Sequence, residues 1–198
     1  MEKKIAVILG DGIGPEVTNQ SIKVLNMIGK QYGHQFSYEY ALMGAVAIDE
    51  TGNPLPDETI AICKNSDAIL FGAIGDPKYD NDPTAKVRPE QGLLKLRKEL
   101  QLFANIRPVK TYTSLQHLSP LKSKQLENVD FVIFRELTGG IYFGAKSLSE
   151  DGTIAKDDCS YSVMEIERVA HLAFQYAQKR KKHLTLVDKA NVLETSRL

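Results

Sequence analysis

Ile5-Ala-Val-Ile-Leu9-Gly10-Asp-Gly-Ile-Gly14-Pro15 joins an unbroken apolar run to a glycine-rich turn and a proline. The apolar run reads as a buried strand. Gly10, Gly12 and Gly14 permit a tight turn, and Pro15 suits the first turn of a helix. The glycines invite comparison with the dinucleotide fingerprint G-x-G-x-x-G, but Pro15 stands where the last glycine belongs. The spacing favours a structural strand–turn–helix junction, although amides at a helix start can also meet an anion.

Outward from this stretch, the helix after Pro15 carries Val17, Ser21, Val24, Leu25 and Ile28 on one side, and Gly29 and Gly33 end it. Phe36, Tyr38, Tyr40 and Leu42 recur at strand period. A short helix is predicted over Asp57–Lys64, a buried strand over Asp67–Phe71, a loop over Gly72–Pro89 and a helix from about Gln91 to Gln101. Phe103–Pro108 is extended, because Pro108 biases Arg107 away from helix. Turns and a short helix fill 111–128, and Phe131–Arg135 is a strand. An irregular, partly extended arm spans 141–161. Ser162-Val-Met-Glu165 is a capping box opening a helix with Ile166, Val169, Ala170, Ala173, Phe174 and Ala177 on one face. Lys179-Arg-Lys-Lys182 closes it as a solvated basic turn, and Leu184–Val187 is a final strand. Alternating strands and helices predict an α/β architecture. A composition shift near Gln101–Arg107 divides the chain into a domain over 1–101 and a second over 102–198.

Acidic and basic residues balance, 25 against 25, so charge gives no reason to expect nucleic acid or membrane as partner. The first apolar run is too short for a signal peptide, and no later run reaches the roughly 18 residues of a membrane span. Cys63 and Cys159 lie far apart and form no metal-ligand spacing. A reduced, cytoplasmic protein is the simplest reading.

The chemistry concentrates in Arg135-Glu-Leu-Thr-Gly-Gly-Ile-Tyr142-Phe-Gly144. A strand delivers Arg135, whose planar fork matches a carboxylate. Two glycines turn the chain toward Tyr142, whose hydroxyl can donate a proton. On the helix near residue 91, Arg97 follows Leu93 by four and Leu94 by three, which joins two branched apolar groups to a carboxylate fork. A core face with Arg97 at its rim fits the same spacing. Glu90 at that helix start is also an ordinary dipole partner. Arg107 is a third fork, or a solvated strand end. Three such forks suit a substrate with two carboxylates. Lys189, beside Asp188 after the last strand, reads as a base in a cleft or as a surface ion-pair lysine.

Taken together, these segments resemble the β-decarboxylating dehydrogenases of the isocitrate/isopropylmalate family. The resemblance rests on Gly10-Asp-Gly-Ile-Gly-Pro-Glu16, Arg88-Pro-Glu-Gln-Gly-Leu-Leu-Lys-Leu-Arg97, Leu102-Phe-Ala-Asn-Ile-Arg-Pro108, Arg135–Gly144 and Val187-Asp-Lys-Ala-Asn-Val-Leu193, in order along the whole chain. It implies mixed sheets flanked by helices and not a Rossmann fold, in agreement with the failed glycine spacing. It also implies NAD-dependent oxidation of a 2-hydroxyl followed by loss of carbon dioxide. The isopropylmalate branch is the nearest, with 3-isopropylmalate converted to 4-methyl-2-oxopentanoate in leucine biosynthesis.

By position, Arg97, Arg107 and Arg135 would hold the malate carboxylates, Tyr142 would protonate the enol, and Lys189 would assist removal of the hydroxyl proton. Mg2+ or Mn2+ would polarise the forming ketone. The resemblance makes the protein a homodimer. Lys189, Asn191 and Val192 would act in the neighbouring subunit's site, and the arm near 141–161 would pair across the dimer. Leu93 and Leu94 would contact the isopropyl group where isocitrate enzymes carry a polar pattern, and Glu90 would repel a third carboxylate near the nicotinamide. Gly75-Asp76-Pro77-Lys78 would border the cofactor, although Asp76 and Tyr79 depart from the family's Gly-Gly-Pro-Lys-Trp. The metal ligands are expected beyond residue 198, so the chain is expected to be an incomplete N-terminal portion, inactive alone. A related 2-hydroxy acid as substrate (tartrate, malate or homoisocitrate) and a non-catalytic partner chain are the alternatives.

Overall fold

The structure, a computed structural model, describes residues 1–82 and 84–198. The chain forms two compact units, Met1–Leu100 and Gln101–Leu198. The first contains β1 (Glu2–Gly10), α1 (Gly14–Tyr32), β2 (Gln35–Tyr40), α2 (Ala45–Thr51), α3 (Asp57–Lys64), β3 (Ala68–Ala73), α4 (Pro77–Asp80) and α5 (Pro89–Glu99). Its sheet is parallel with order β2-β1-β3. The central position of β1 accounts for its unbroken apolar run, since both of its faces are covered. Ala6 and Ile8 are buried with Met43, Leu55, Cys63 and Leu96. Val7, one residue out of phase, is buried on the opposite face, where α1 packs.

The side of α1 expected to be apolar is not its buried side. Val17, Val24 and Ile28 are exposed, whereas Gly14, Thr18 and Gly29 are buried. Small residues let the helix backbone approach the sheet closely. A Cβ on Gly14 would lie 2.1 Å from the Leu9 carbonyl oxygen. Gly29 does not end the helix but lies within it, and Gly33, at φ 67°, is the left-handed cap. The expected loop 72–89 contains the short α4. No sequence expectation covered α2, because its cap comes from Asp11, far away in the chain.

The second unit contains β4 (Ala104–Lys110), α6 (Ser123–Leu126), β5 (Asp130–Glu136), β6 (Lys146–Leu148), β7 (Ala155–Asp157) and α7 (Val163–Gln178). β4 and β5 are antiparallel, with Asn105 opposite Arg135 and Arg107 opposite Ile133. β6 and β7 form an antiparallel hairpin whose residues are all exposed, which places ladder pairing inside the expected arm. The Ser162 cap of α7 forms as the sequence predicts, with the Ser162 N–H donating to Glu165 at 2.8 Å. α7 packs on β5, and Phe134 meets Tyr176 edge-on at 5.3 Å. Phe174, expected on the packed face, is exposed.

Leu184–Val187 is not a strand. A strand needs a neighbour to pair its backbone groups, and no described strand pairs with this segment. Val187 is accordingly 90% exposed. Among the described residues the architecture is α/β, with one parallel sheet and two antiparallel ribbons, and helices pack on the parallel sheet and on β5.

Candidate active site

In the first unit the glycine turn is a structural junction. The Asp11 N–H donates to the Ala73 carbonyl at 2.7 Å, and the Gly14 N–H to the Asp11 carbonyl at 2.8 Å. A Cβ on Gly10 would lie 1.8 Å from the Ala73 oxygen. Gly10 and Gly14 thus serve close backbone-to-backbone packing, whereas Gly12 faces open space. The buried Asp11 carboxylate accepts from the N–H groups of Ala45 (2.9 Å), Val46 (3.0 Å) and Gly75 (3.0 Å). One side chain thereby caps α2 and anchors the loop that follows β3. Sequence reasoning missed this role, since the three donors are remote in sequence.

Gly75 has φ 125°, and a Cβ there would come within 3.1 Å of Glu90 Oε1. The glycine thus lets the exposed Glu90 carboxylate sit beside the loop. Asp76 caps α4, accepting from the Lys78 N–H at 2.9 Å, and Pro77 occupies the first turn. The Lys78 ammonium donates to Asp49 at 2.5 Å, and the Tyr79 hydroxyl donates to the same carboxylate at 2.7 Å. Those two donors hold the Asp49 carboxyl below its usual range. The hydrogen bond to Asp49 likewise raises the Lys78 ammonium above its own.

On α5, Pro89, Gly92 and Leu96 are buried, and Leu93 packs partly against the core. Glu90, Leu94 and Arg97 follow at i, i+4 and i+7, so they form one stripe. Leu94 and Arg97 are half-buried there. Arg97 lies between Leu93 and Leu94 around the helix, and all three are half-buried, with Leu93 at the core edge of that face.

In the second unit the strand register does what sequence could not show. Asn105 lies opposite Arg135, and Arg107 is two residues further along β4, so all three side chains leave the same sheet face. The Arg107 Nε–H donates to Asn105 Oδ1 at 2.9 Å. The Arg135 guanidinium stands 5.3 Å from the centre of the Tyr142 ring. Arg107, Asn105, Arg135 and Tyr142 thus form a continuous row. Both arginines are exposed, and Tyr142 is 47% exposed. Asn105 was not anticipated; its alternation with Arg107 on a strand was the available signal.

Glu136 leaves the opposite face. Its carboxylate accepts from the Thr138 N–H (2.8 Å), the Thr138 hydroxyl (2.8 Å), the Gly139 N–H (2.7 Å) and Arg168 (2.5 Å). Burial pushes this carboxyl upward, but those donors outweigh it and leave it below the usual range.

The Lys189 side chain is exposed, and its backbone shapes a turn in which the Val192 and Leu193 N–H groups donate to the Lys189 carbonyl. Asn191 and Val192 are exposed. Among the described residues, no group of three or more His, Cys, Asp or Glu is placed to hold a metal ion. No described helix is long and apolar enough to cross a membrane.

Residues 4–198 match the family model described as isocitrate/isopropylmalate dehydrogenase. The chain is 58% identical over 198 residues to a 3-isopropylmalate dehydrogenase of Bacteroides fragilis, covering 100% of this chain and 56% of that one. It is 54% identical over 202 residues to the Bacillus subtilis 3-isopropylmalate dehydrogenase, covering 100% and 55%. Among solved structures it is similar to an isocitrate dehydrogenase from Methylococcus capsulatus, with TM-score 0.80, 28% identity and coverage of 98% and 53%. It is also similar to a β-decarboxylating dehydrogenase from Thermococcus kodakarensis, with TM-score 0.69, 32% identity and coverage of 98% and 51%. The chain spans about half the length of these relatives.

Proposed function

The chain belongs to the isocitrate/isopropylmalate dehydrogenase family, and on that premise we propose that it serves the NAD-dependent oxidative decarboxylation of 3-isopropylmalate to 4-methyl-2-oxopentanoate in leucine biosynthesis. The observation that carries this reading is the Arg107–Asn105–Arg135–Tyr142 row on one exposed sheet face. It combines two carboxylate forks with a proton donor, which is what a 2-hydroxy diacid losing carbon dioxide requires. The names of the Bacteroides fragilis and Bacillus subtilis relatives support isopropylmalate as the substrate.

In this reading Arg97, Arg107 and Arg135 hold the two carboxylates, while Leu94, with Leu93 behind it, meets the isopropyl group. Glu90 disfavours a third carboxylate. Lys189 takes the hydroxyl proton, and Tyr142 returns a proton to the carbon that loses carbon dioxide. Gly75, Asp76, Pro77, Lys78 and Glu90 would border NAD, with Glu90 near the nicotinamide, and NAD would supply the hydride acceptor. Mg2+ or Mn2+ belongs to the family reading, but the described residues do not supply its donor set, so no step is assigned through it.

The proposed assembly is a cytoplasmic homodimer. Residues 1–101 lie on the cofactor side, and 102–198 on the substrate and dimerisation side. The β6–β7 arm pairs between subunits, and the Lys189 segment acts in the neighbour's site. Because the described residues supply no metal donor set, the 198-residue chain by itself is expected to produce no NADH.

The test is substrate choice and Tyr142→Phe in protein of the relatives' full length that carries this sequence. Isopropylmalate should outrun isocitrate, malate and tartrate, and Tyr142→Phe should lower turnover more than affinity. Preference for another acid, or an unchanged turnover number in Tyr142→Phe, refutes the reading.

A further inference from the structure

We propose that Glu136, Thr138 and Arg168 are positioning residues that set Tyr142 against Arg135. This rests on the functional reading above for its catalytic consequence, but not for its geometry. Arg135 and Tyr142 are separated by a turn, and each N–H from Leu137 to Gly140 has a partner. Leu137 donates to the Phe103 carbonyl at 2.7 Å, Thr138 and Gly139 donate to the Glu136 carboxylate, and Gly140 donates to the Ser160 carbonyl at 2.9 Å. Two of these four bonds end on one side chain.

That side chain is itself fixed. Glu136 is 7% exposed and bonds Arg168 of α7, which is 25% exposed. Arg168 also donates to the Thr138 hydroxyl and lies 4.9 Å from the Phe103 ring. Phe103 in turn supplies the carbonyl that receives Leu137. The circuit closes around the turn from both sides. Two glycines make the turn tight enough. A Cβ on Gly140 would lie 2.2 Å from the Tyr161 hydroxyl, and one on Gly139 would lie 3.0 Å from Glu165 Oε1.

The arrangement also separates two charges adjacent in sequence. Glu136 projects to the α7 side of the ribbon and Arg135 to the other, so Arg168 neutralises Glu136 while Arg135 faces outward. Loss of the Glu136 charge should loosen the turn and let the Tyr142 ring leave the Arg135 guanidinium. It should leave Arg107 and Arg135 on their strands.

The test uses fluorotyrosine-labelled protein, with the Tyr142 19F resonance assigned by its disappearance in Tyr142→Phe. Glu136→Gln should shift or broaden that resonance. Thr138→Val, which keeps the Glu136–Arg168 pair and serves if Glu136→Gln does not fold, should do so too. An unmoved resonance in the folded variants overturns the inference, whatever the enzyme does.

In protein of the relatives' full length that carries this sequence, Glu136→Gln should lower kcat roughly 10²-fold with KM little changed. The effect should largely vanish in a Tyr142→Phe background, since both act through one group. Full additivity of the two substitutions overturns the positioning role. Undiminished activity of Tyr142→Phe alone would instead sink the functional reading and leave the resonance result standing.

Discussion

Asp11→Ala removes an acceptor shared by the N–H groups of Ala45, Val46 and Gly75. Asp11 is 5% exposed and Ala45 is 3% exposed, so the Ala45 donor loses its partner where water does not replace it. That alone costs about 1–3 kcal/mol. The bonds to Val46 and Gly75 are only part-buried, so water recovers some of their energy and each adds about 0.5–1 kcal/mol. The expected total is about 3 kcal/mol, or roughly a hundredfold in the unfolding constant. Asp11→Asn keeps one oxygen but turns an NH2 group toward the remaining donors, so it should lose about half as much. Urea denaturation measures the total. Amide hydrogen exchange isolates the first unit: Ala45, Val46 and Gly75 should lose protection together. If Asp11→Ala lies within about 0.5 kcal/mol of the parent, the typical margin of a surface change, the clasp is not what holds α2 and the Gly75 loop.

Two other expectations follow from ionisation and burial. The Glu136 carboxyl is depressed when folded, so its contribution to stability is present above the ordinary Glu value of about 4.3 and is lost as pH falls through the lower folded value. Acid unfolding of the second unit should lose this component below that point, and Glu136→Gln should flatten the slope; an identical acid limb in both proteins refutes the pairing. Burial pushes the Cys63 thiol up, whereas Cys159 is exposed. A disulfide reagent should therefore label one thiol rapidly and the other only on unfolding, and two equally fast thiols would contradict the packing of Cys63.

The positioning circuit shows why part of the site is invisible to a sequence reader. Arg135, Gly139, Gly140 and Tyr142 announce themselves by residue type and spacing. Glu136 sits among them without a legible role, because its partner Arg168 lies on α7, 32 residues away. Asn105 is equally silent until the register places it opposite Arg135. The α1 expectation failed for a related reason. Hydrophobic period marks an apolar side, but close approach of backbones selected the side with Gly14, Thr18 and Gly29.

Local chemistry by itself determined the strand–turn–helix opening, the α/β alternation and the Ser162 cap. Each depends on the backbone preference or functional group of a few neighbouring residues. Pro15 in the last glycine position also argued against a dinucleotide cradle. Only the tertiary structure decided what that turn does instead. Asp11 fastens α2 and the Gly75 loop through donors 34 to 64 residues away. Likewise, antiparallel pairing placed Arg107 and Arg135 on one face, whereas the failed pairing of Leu184–Val187 left that segment exposed. Hydrogen-bond partners that are remote in the chain are chosen by the fold, and no local pattern encodes them.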